Sequence, residues 1–215
     1  MKRISIAILA TLLTVASTSF AATQAVNAAT VAPTLNISAT IQKAVSLTLA
    51  TGATAGISHC TVTAAGGSPD YTMSFGTVDA LAINNGSCNK FGPATPGTTD
   101  AIYWSDYQIT PVYTSHQTFG ATTVTAQVTT NFAAPNNLYV VRDTSNSNAA
   151  TVTTPAGVAS FTALSTSSAD TIGASGVASG TALTRFIGVG VKPLNNASVS
   201  YAAQTATVTF TLTVQ

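Results

Sequence analysis

Glutamate is absent from these 215 residues, and charge of either sign is scarce. Charged residues make up 6% of the chain, where an ordinary soluble domain carries about 25%. Beyond residue 28 there remain Lys43, Lys90, Arg142, Arg185 and Lys192 against Asp70, Asp79, Asp100, Asp106, Asp143 and Asp170, a net charge of −1. That excludes a basic face for nucleic acid and a polybasic patch for anionic lipid. A disordered acidic tail is excluded as well, because 46% of the chain is hydrophobic and can form a core. So few charges give a lone monomer little colloidal protection. Proteins that pack into filaments, coats or layers tolerate this better.

Catalytic groups are equally sparse. His59 and His116 are the two histidines. No Gly-x-Ser-x-Gly elbow accompanies them, so a hydrolase triad has no local signature. His116 reads as a turn or strand-end residue. Gly188-Val189-Gly190 lies in a strand pattern, without the strand–turn–helix context of a phosphate loop. No Asp-x-Asp-x-Asp loop offers a calcium site, and Asp143-Thr144-Ser145-Asn146 reads as a turn. No catalytic residue, metal site or cofactor is assigned. One chemical candidate remains: Asp100 and Asp106 flank Tyr103-Trp104. An aromatic pair beside acids suits a sugar ring or, with two carboxylates in a cleft, glycoside hydrolysis. It suits a sandwich core with turn-capping aspartates equally well.

Cys60 and Cys88 are the only cysteines. In an exported chain one pair most simply forms one disulfide. It closes a loop of about 28 residues and contributes roughly 3 kcal/mol in the loop-entropy account. His59 beside Cys60 raises metal ligation as the alternative, but Cys-x-x-Cys and His-x-x-His spacings are missing.

The N-terminus supplies the export signal. Met1-Lys2-Arg3 precedes an apolar run from Ile4 to Val15 and then small residues. This pattern predicts a signal peptide over residues 1–28, with an alternative cut after Ala21. The run is too short to cross a membrane, and no later stretch is long and apolar enough. The exported part has roughly 187 to 194 residues, enough for one sizeable domain.

What the exported part contains in abundance is alternation. From Thr205 to Val214 every even position is apolar and every odd position is threonine. A period of two places one face on a core and the other in water. Leu35, Ile37, Ala39 and Ile41 alternate with polar residues in the same way. Val45, Leu47 and Leu49 resume that parity after Gln42-Lys43. A strand spanning all of these would exceed the usual length, so two strands meeting near Lys43 are expected. Short strands separated by Gly, Pro, Asn and Ser clusters are predicted near Cys60–Thr63, Tyr71–Phe75, Val78–Ile83, Ala101–Trp104, Tyr107–Tyr113, Thr122–Thr130 and Leu138–Arg142. Others are predicted near Val158–Leu164, Arg185–Val191 and Val199–Tyr201. Pro111 implies an edge strand or a bulge. Asn84-Asn85-Gly86, Lys90–Thr99, Asp143–Asn148 and the long Ser165–Thr181 stretch read as loops. No helix is predicted after the signal peptide. The expected fold is all-β, an immunoglobulin-like or related β-sandwich, with an N-terminal extension over residues 29–42 and a single domain over 43–215.

The signal peptide, the arm Leu35-Asn36-Ile37-Ser38-Ala39-Thr40-Ile41 and the threonine-rich body resemble bacterial chaperone–usher pilins. Met73-Ser74-Phe75-Gly76-Thr77-Val78-Asp79 is also similar to the Phe-Gly-Thr segment of spore-coat-U-like secreted domains. The resemblance implies a sandwich lacking one strand, which the N-terminal extension of the next subunit supplies. It implies a homopolymer at the cell surface, with a periplasmic chaperone and an outer-membrane usher as assembly partners. Leu35, Ile37, Ala39 and Ile41 would then be the inserted side chains. Such an arm gains main-chain hydrogen bonds and pocket contacts, and four buried apolar side chains contribute on the order of 4–10 kcal/mol before ordering costs. A head-to-tail contact of this kind grows a filament. The expectation from another class is a secreted monomeric carbohydrate-binding or adhesin module centred on Tyr103-Trp104.

Overall fold

The computed structural model describes residues 37–39, 44–83, 88–93, 95, 97–114, 122–133, 137–145, 151–173, 176–193 and 202–214. The chain divides into two compact units, Met1–Ile41 and Gln42–Gln215. Of the first unit only residues 37–39 are described; they carry no regular secondary structure and are exposed. The signal peptide, Leu35, Ile41, His116 and the strand expected near Val199–Tyr201 lie outside the described residues.

The second unit is all-β. Its strands are β1 (Val45–Thr51), β2 (Val62–Ala64), β3 (Tyr71–Met73), β4 (Asn89–Phe91), β5 (Ala101–Tyr113), β6 (Thr123–Thr130), β7 (Leu138–Asp143), β8 (Phe161–Ala163), β9 (Asp170–Gly173), β10 (Leu183–Val191) and β11 (Thr207–Thr213). One sheet has the order β1-β5-β10-β7-β8, with β4 also paired to β5; a second has the order β11-β6-β9; β2 and β3 form a separate hairpin. All the ladders are antiparallel.

The main core lies between the two larger sheets. Tyr103, Tyr107, Ile109, Val140, Leu183 and Val189 from the large sheet meet Val124, Ala126, Val128 and Ile172 from the small one. β6 shows why the sequence folds this way: Val124, Ala126 and Val128 are buried, while Thr125 and Gln127 between them are on the other face and only half-buried. β11 repeats the device, with Val208, Phe210 and Leu212 inward and Thr207, Thr209, Thr211 and Thr213 exposed.

The large sheet is covered on its other face too. Ile102, Trp104, Val141 and Phe186 form a second buried cluster, covered by Ile57, Phe91, Val152, Val158 and Phe161. A strand buried on both faces reads as a continuous apolar run instead of an alternating one, which is how Ala101-Ile102-Tyr103-Trp104 reads. The two strands expected over 101–104 and 107–113 are therefore one strand of 13 residues.

Three further differences have local causes. Val78–Ile83 is a turn, because Asp79 Oδ1 accepts the backbone N–H groups of Leu81 (2.8 Å) and Ile83 (3.1 Å). The Ser165–Thr181 stretch contains β9 and is anchored in the core at Ile172, Gly173 and Val177, while most of its other described residues are exposed. Pro111 sits in a central strand, not at an edge. β10 begins at Leu183 opposite Ile109, and Gly180 N–H donates to Pro111 O at 2.7 Å. The missing proline donor thus faces a loop beyond the end of β10, where no ladder needs it.

Candidate functional site

The two sides of the sandwich are closed differently. On one side the chain crosses directly from sheet to sheet after β8. Leu164 N–H donates to Val140 O of β7 (2.9 Å), and Val128 N–H of β6 donates to Ser165 O (3.0 Å). Asp170 Oδ2 then accepts Ser165 N–H at 2.8 Å and lies 3.5 Å from Arg142 Nε. Leu164 and Ile172 are fully buried there.

On the other side the sheets end in β1 and β11. Among the described strands, β1 pairs with β5 alone and β11 with β6 alone. The side chains that these two edges turn inward are only half-buried: Leu47 and Leu49 on β1, and Val208, Phe210 and Leu212 on β11. Val62 and Met73 of the β2–β3 hairpin join the same half-buried set. A sheet edge presents unpaired N–H and C=O groups. Here it lies beside a row of apolar side chains that the fold leaves partly wet. That combination is the candidate site.

The arm residues expected to fill such an edge stand as follows. Ile37 is 87% exposed, and Ala39 is exposed.

Cys60 and Cys88 form a disulfide. It belongs to a joint on β5, where β1 has ended opposite Tyr107 and β4 begins opposite Trp104. The residues between, Ser105 and Asp106, meet the chain with side chains instead of a ladder. Ser105 Oγ accepts Cys60 N–H (2.9 Å), and Asp106 Oδ2 accepts Thr54 N–H (2.8 Å). His59 bonds Asp106 Oδ1 through Nδ1 at 2.6 Å and does not join the cysteines as a metal ligand. Asp106 is wholly buried, and a Cβ on Gly52 would fall on its carboxylate. Asp106 therefore anchors a loop. Among the described residues no group of three His, Cys, Asp or Glu could hold a metal ion.

Tyr103 and Trp104 are not brought together. Adjacent strand residues point to opposite faces, so Tyr103 enters the main core and Trp104 the second cluster. Tyr103 O–H donates to Asp79 Oδ2 (3.0 Å), and burial pushes the phenol up to about 12. Asp100 accepts the O–H of Tyr139 at 2.5 Å, and burial raises that phenol first, with the Asp100 contact adding to it. Asp100 and Asp106 thus serve different elements.

Trp104 is 4% exposed. It stacks on Phe91 (5.3 Å between centroids, 19°), tilts against Phe161 (5.9 Å) and meets Phe186 edge-on (5.6 Å). Its indole N–H is buried and has no hydrogen-bond partner among the described residues. A buried donor left unpaired costs about 1–3 kcal/mol. Sequence reasoning missed these three phenylalanines, which come from β4, β8 and β10. The available signal was two-sided apolarity: β10 is buried along nearly its whole length at both parities.

Arg185 and Asp143 are buried charges as well, and Arg185 links the sheets. Arg185, 1% exposed, donates from Nε to Ile172 O of the small sheet at 2.7 Å. Asp143 accepts Phe186 N–H (2.7 Å) and Ser145 N–H (2.9 Å). Burial raises the Asp143 carboxyl, which these donors and Arg185 only partly offset; burial lowers Arg185. No protein-family model, curated protein or solved structure matches this chain.

Proposed function

We propose that this chain is a structural subunit of an extracellular bacterial filament or surface coat, joined to its neighbours by donor-strand exchange and without catalytic activity. The observation that carries this reading is the outer edge of β11, unpaired among the described strands, beside half-buried Val208, Phe210 and Leu212, with the outer edge of β1 likewise unpaired among them. The opposite side of the sandwich is sealed by its own chain. An added strand between β1 and β11 would hydrogen-bond an open edge and dry the apolar row.

The donor is residues 35–41 of a second copy, exported behind the signal peptide of residues 1–28. Leu35, Ile37, Ala39 and Ile41 insert, and Asn36, Ser38 and Thr40 face out. The sandwich is then immunoglobulin-like with one strand supplied in trans. A periplasmic chaperone would cover the edge before assembly, and an outer-membrane usher would release it. The low charge of the chain fits a surface that meets other subunits more than solvent.

Charged residues in the arm test this. Ile37→Asp and Ile41→Asp place a carboxylate in an apolar groove, where its desolvation is uncompensated. Electron microscopy of material sheared from the native cell surface should show filaments with the parent chain and none with either variant, while circular dichroism of the secreted subunit stays unchanged. Normal filaments from both variants would end the donor-strand reading.

A further inference from the structure

We propose that the outer edge of β1 takes residues 35–41 of a second copy in a reciprocal exchange, so that two free subunits close into a symmetric dimer with Gln42 on its two-fold axis. This rests on the same premise as the filament reading, that the arm is a strand given in trans, but it uses the other edge.

Strand directions separate the two edges. Val45 of β1 lies opposite Tyr113. Tyr113 O–H donates to Val177 O (2.6 Å), and Gly176 N–H to Thr122 O (3.0 Å). Thr122 precedes Thr123, which lies opposite Thr213. β1 therefore begins at the end of the sandwich where β11 finishes. Further along, Tyr107, opposite Thr51, packs on Phe210 at 5.6 Å. The two strands run in opposite directions. An arm antiparallel to β11 comes from the end away from the acceptor's own arm, and the row of subunits stays open. An arm antiparallel to β1 comes from the end where the acceptor's own arm leaves. Each copy then fills the other, and the contact closes.

The β1 edge has the right backbone. Thr114 N–H donates to Ala44 O (3.0 Å). Such pairs recur at every second residue of an antiparallel ladder, so Val45, Leu47 and Leu49 turn their N–H and C=O groups away from β5. Pro111, which has no N–H, lies opposite Leu47 and agrees. Leu47 and Leu49 also turn half-buried side chains to the core, and Val45, at the same parity, is 64% exposed.

The sequence before β1 continues the pattern. Leu35, Ile37, Ala39 and Ile41 share the odd parity of Val45, Leu47 and Leu49. Gln42-Lys43 lacks the Gly, Asn or Asp of a two-residue hairpin turn, so an extended passage to a second copy suits it better than a tight reversal. With the axis at Gln42, Leu35 stands opposite Leu49, Ile37 opposite Leu47 and Ala39 opposite Val45. A slip of one residue would turn the arm's apolar side chains to water. An axis at Lys43 would oppose two like charges and send Leu35 to Thr51, whose Oγ1 already accepts Val62 N–H (2.8 Å) from the β2–β3 hairpin.

Light scattering of the secreted full chain should give twice the subunit mass. The amides of Val45, Leu47 and Leu49 should exchange more slowly than in Ile37→Asp. Gln42→Cys should crosslink to its copy on air oxidation, since facing Cα atoms of a non-hydrogen-bonded pair are about 4.5 Å apart, within disulfide range. Asn36→Cys, on the same arm but about 40 Å from its copy, should not. A monomer mass at every concentration, or equal crosslinking by the two cysteines, would overturn the proposal. Cell-surface filaments with no dimer would remove this proposal and keep the filament reading; dimers with no filaments would do the reverse.

Discussion

Gly52 ends β1 against a buried carboxylate, and the smallest substitution tests how tightly that joint is built. A Cβ there would occupy the place of the Asp106 carboxyl group. Asp106 would have to move from the N–H of Thr54 and from His59, leaving a buried charge short of partners. Gly52→Ala should therefore cost about 2–4 kcal/mol in urea unfolding; a loss below a few tenths would mean that the loop simply shifts. Asp143 gives a pH signature. Its carboxyl is raised in the folded state, first by burial, from the usual 3.8. Between the two values the folded chain holds a proton that the unfolded chain releases. The contribution to stability is therefore whole below 3.8 and is lost as pH rises through the folded value. Asn cannot accept at both positions, so Asp143→Asn is weaker at every pH, but it lacks that slope. Urea midpoints of the two chains from roughly pH 3 to 7 should converge as pH rises; a constant gap would show that Asp143 does not titrate differently on folding. Neither residue was legible as such: a glycine in a Gly/Ala loop and an aspartate in a turn pattern carry no local mark of the partners that tertiary contacts give them.

At the scale of elements, alternation was the legible signal, and it worked where one face is wet. β6 and β11 lie close to their expected limits because threonine on one face and apolar residues on the other leave a single solution. Where both faces are buried the signal weakens. Ala101–Tyr113 was divided in two at Ser105-Asp106, which are polar yet fully buried, because on the β1/β4 side they replace a ladder with side-chain bonds to the 54–60 loop. β9 was lost among Gly, Ser and Ala residues, since four residues with one large apolar side chain make no pattern. The disulfide was legible from the cysteine count and the expected export, and it spans 28 residues across the break between β1 and β4. Replacing both by alanine should lower stability by about 2–4 kcal/mol. The β1 end should loosen first, seen as faster amide exchange at Thr54 and Cys60 than at Leu164 on the sealed side. Equal acceleration on both sides would show that the disulfide acts only on the unfolded chain.

For the whole molecule, the decisive property is asymmetry of closure, which no sequence pattern displays. The arm and the terminal strand were each visible as alternating segments, but that β11 has an unpaired edge among the described strands emerges only from the strand order. If that edge is an acceptor, the subunit is incomplete and a strand given in trans should stabilise it. The chain carrying both Ile37→Asp and Ile41→Asp removes its own arm from the competition. A synthetic peptide of residues 34–43 at a hundred times its dissociation constant should then add about 2.7 kcal/mol. For a domain of this size that raises the melting temperature by roughly 5–10 °C. The amides of Thr207–Thr213 should gain protection from exchange, while those of Phe161–Ala163 on the sealed side should not. A scrambled peptide keeps the composition and loses the alternation, so it should do neither. Equal stabilisation by both peptides would mean that the half-buried row binds apolar residues without register, and β11 would be a sticky edge instead of a strand acceptor.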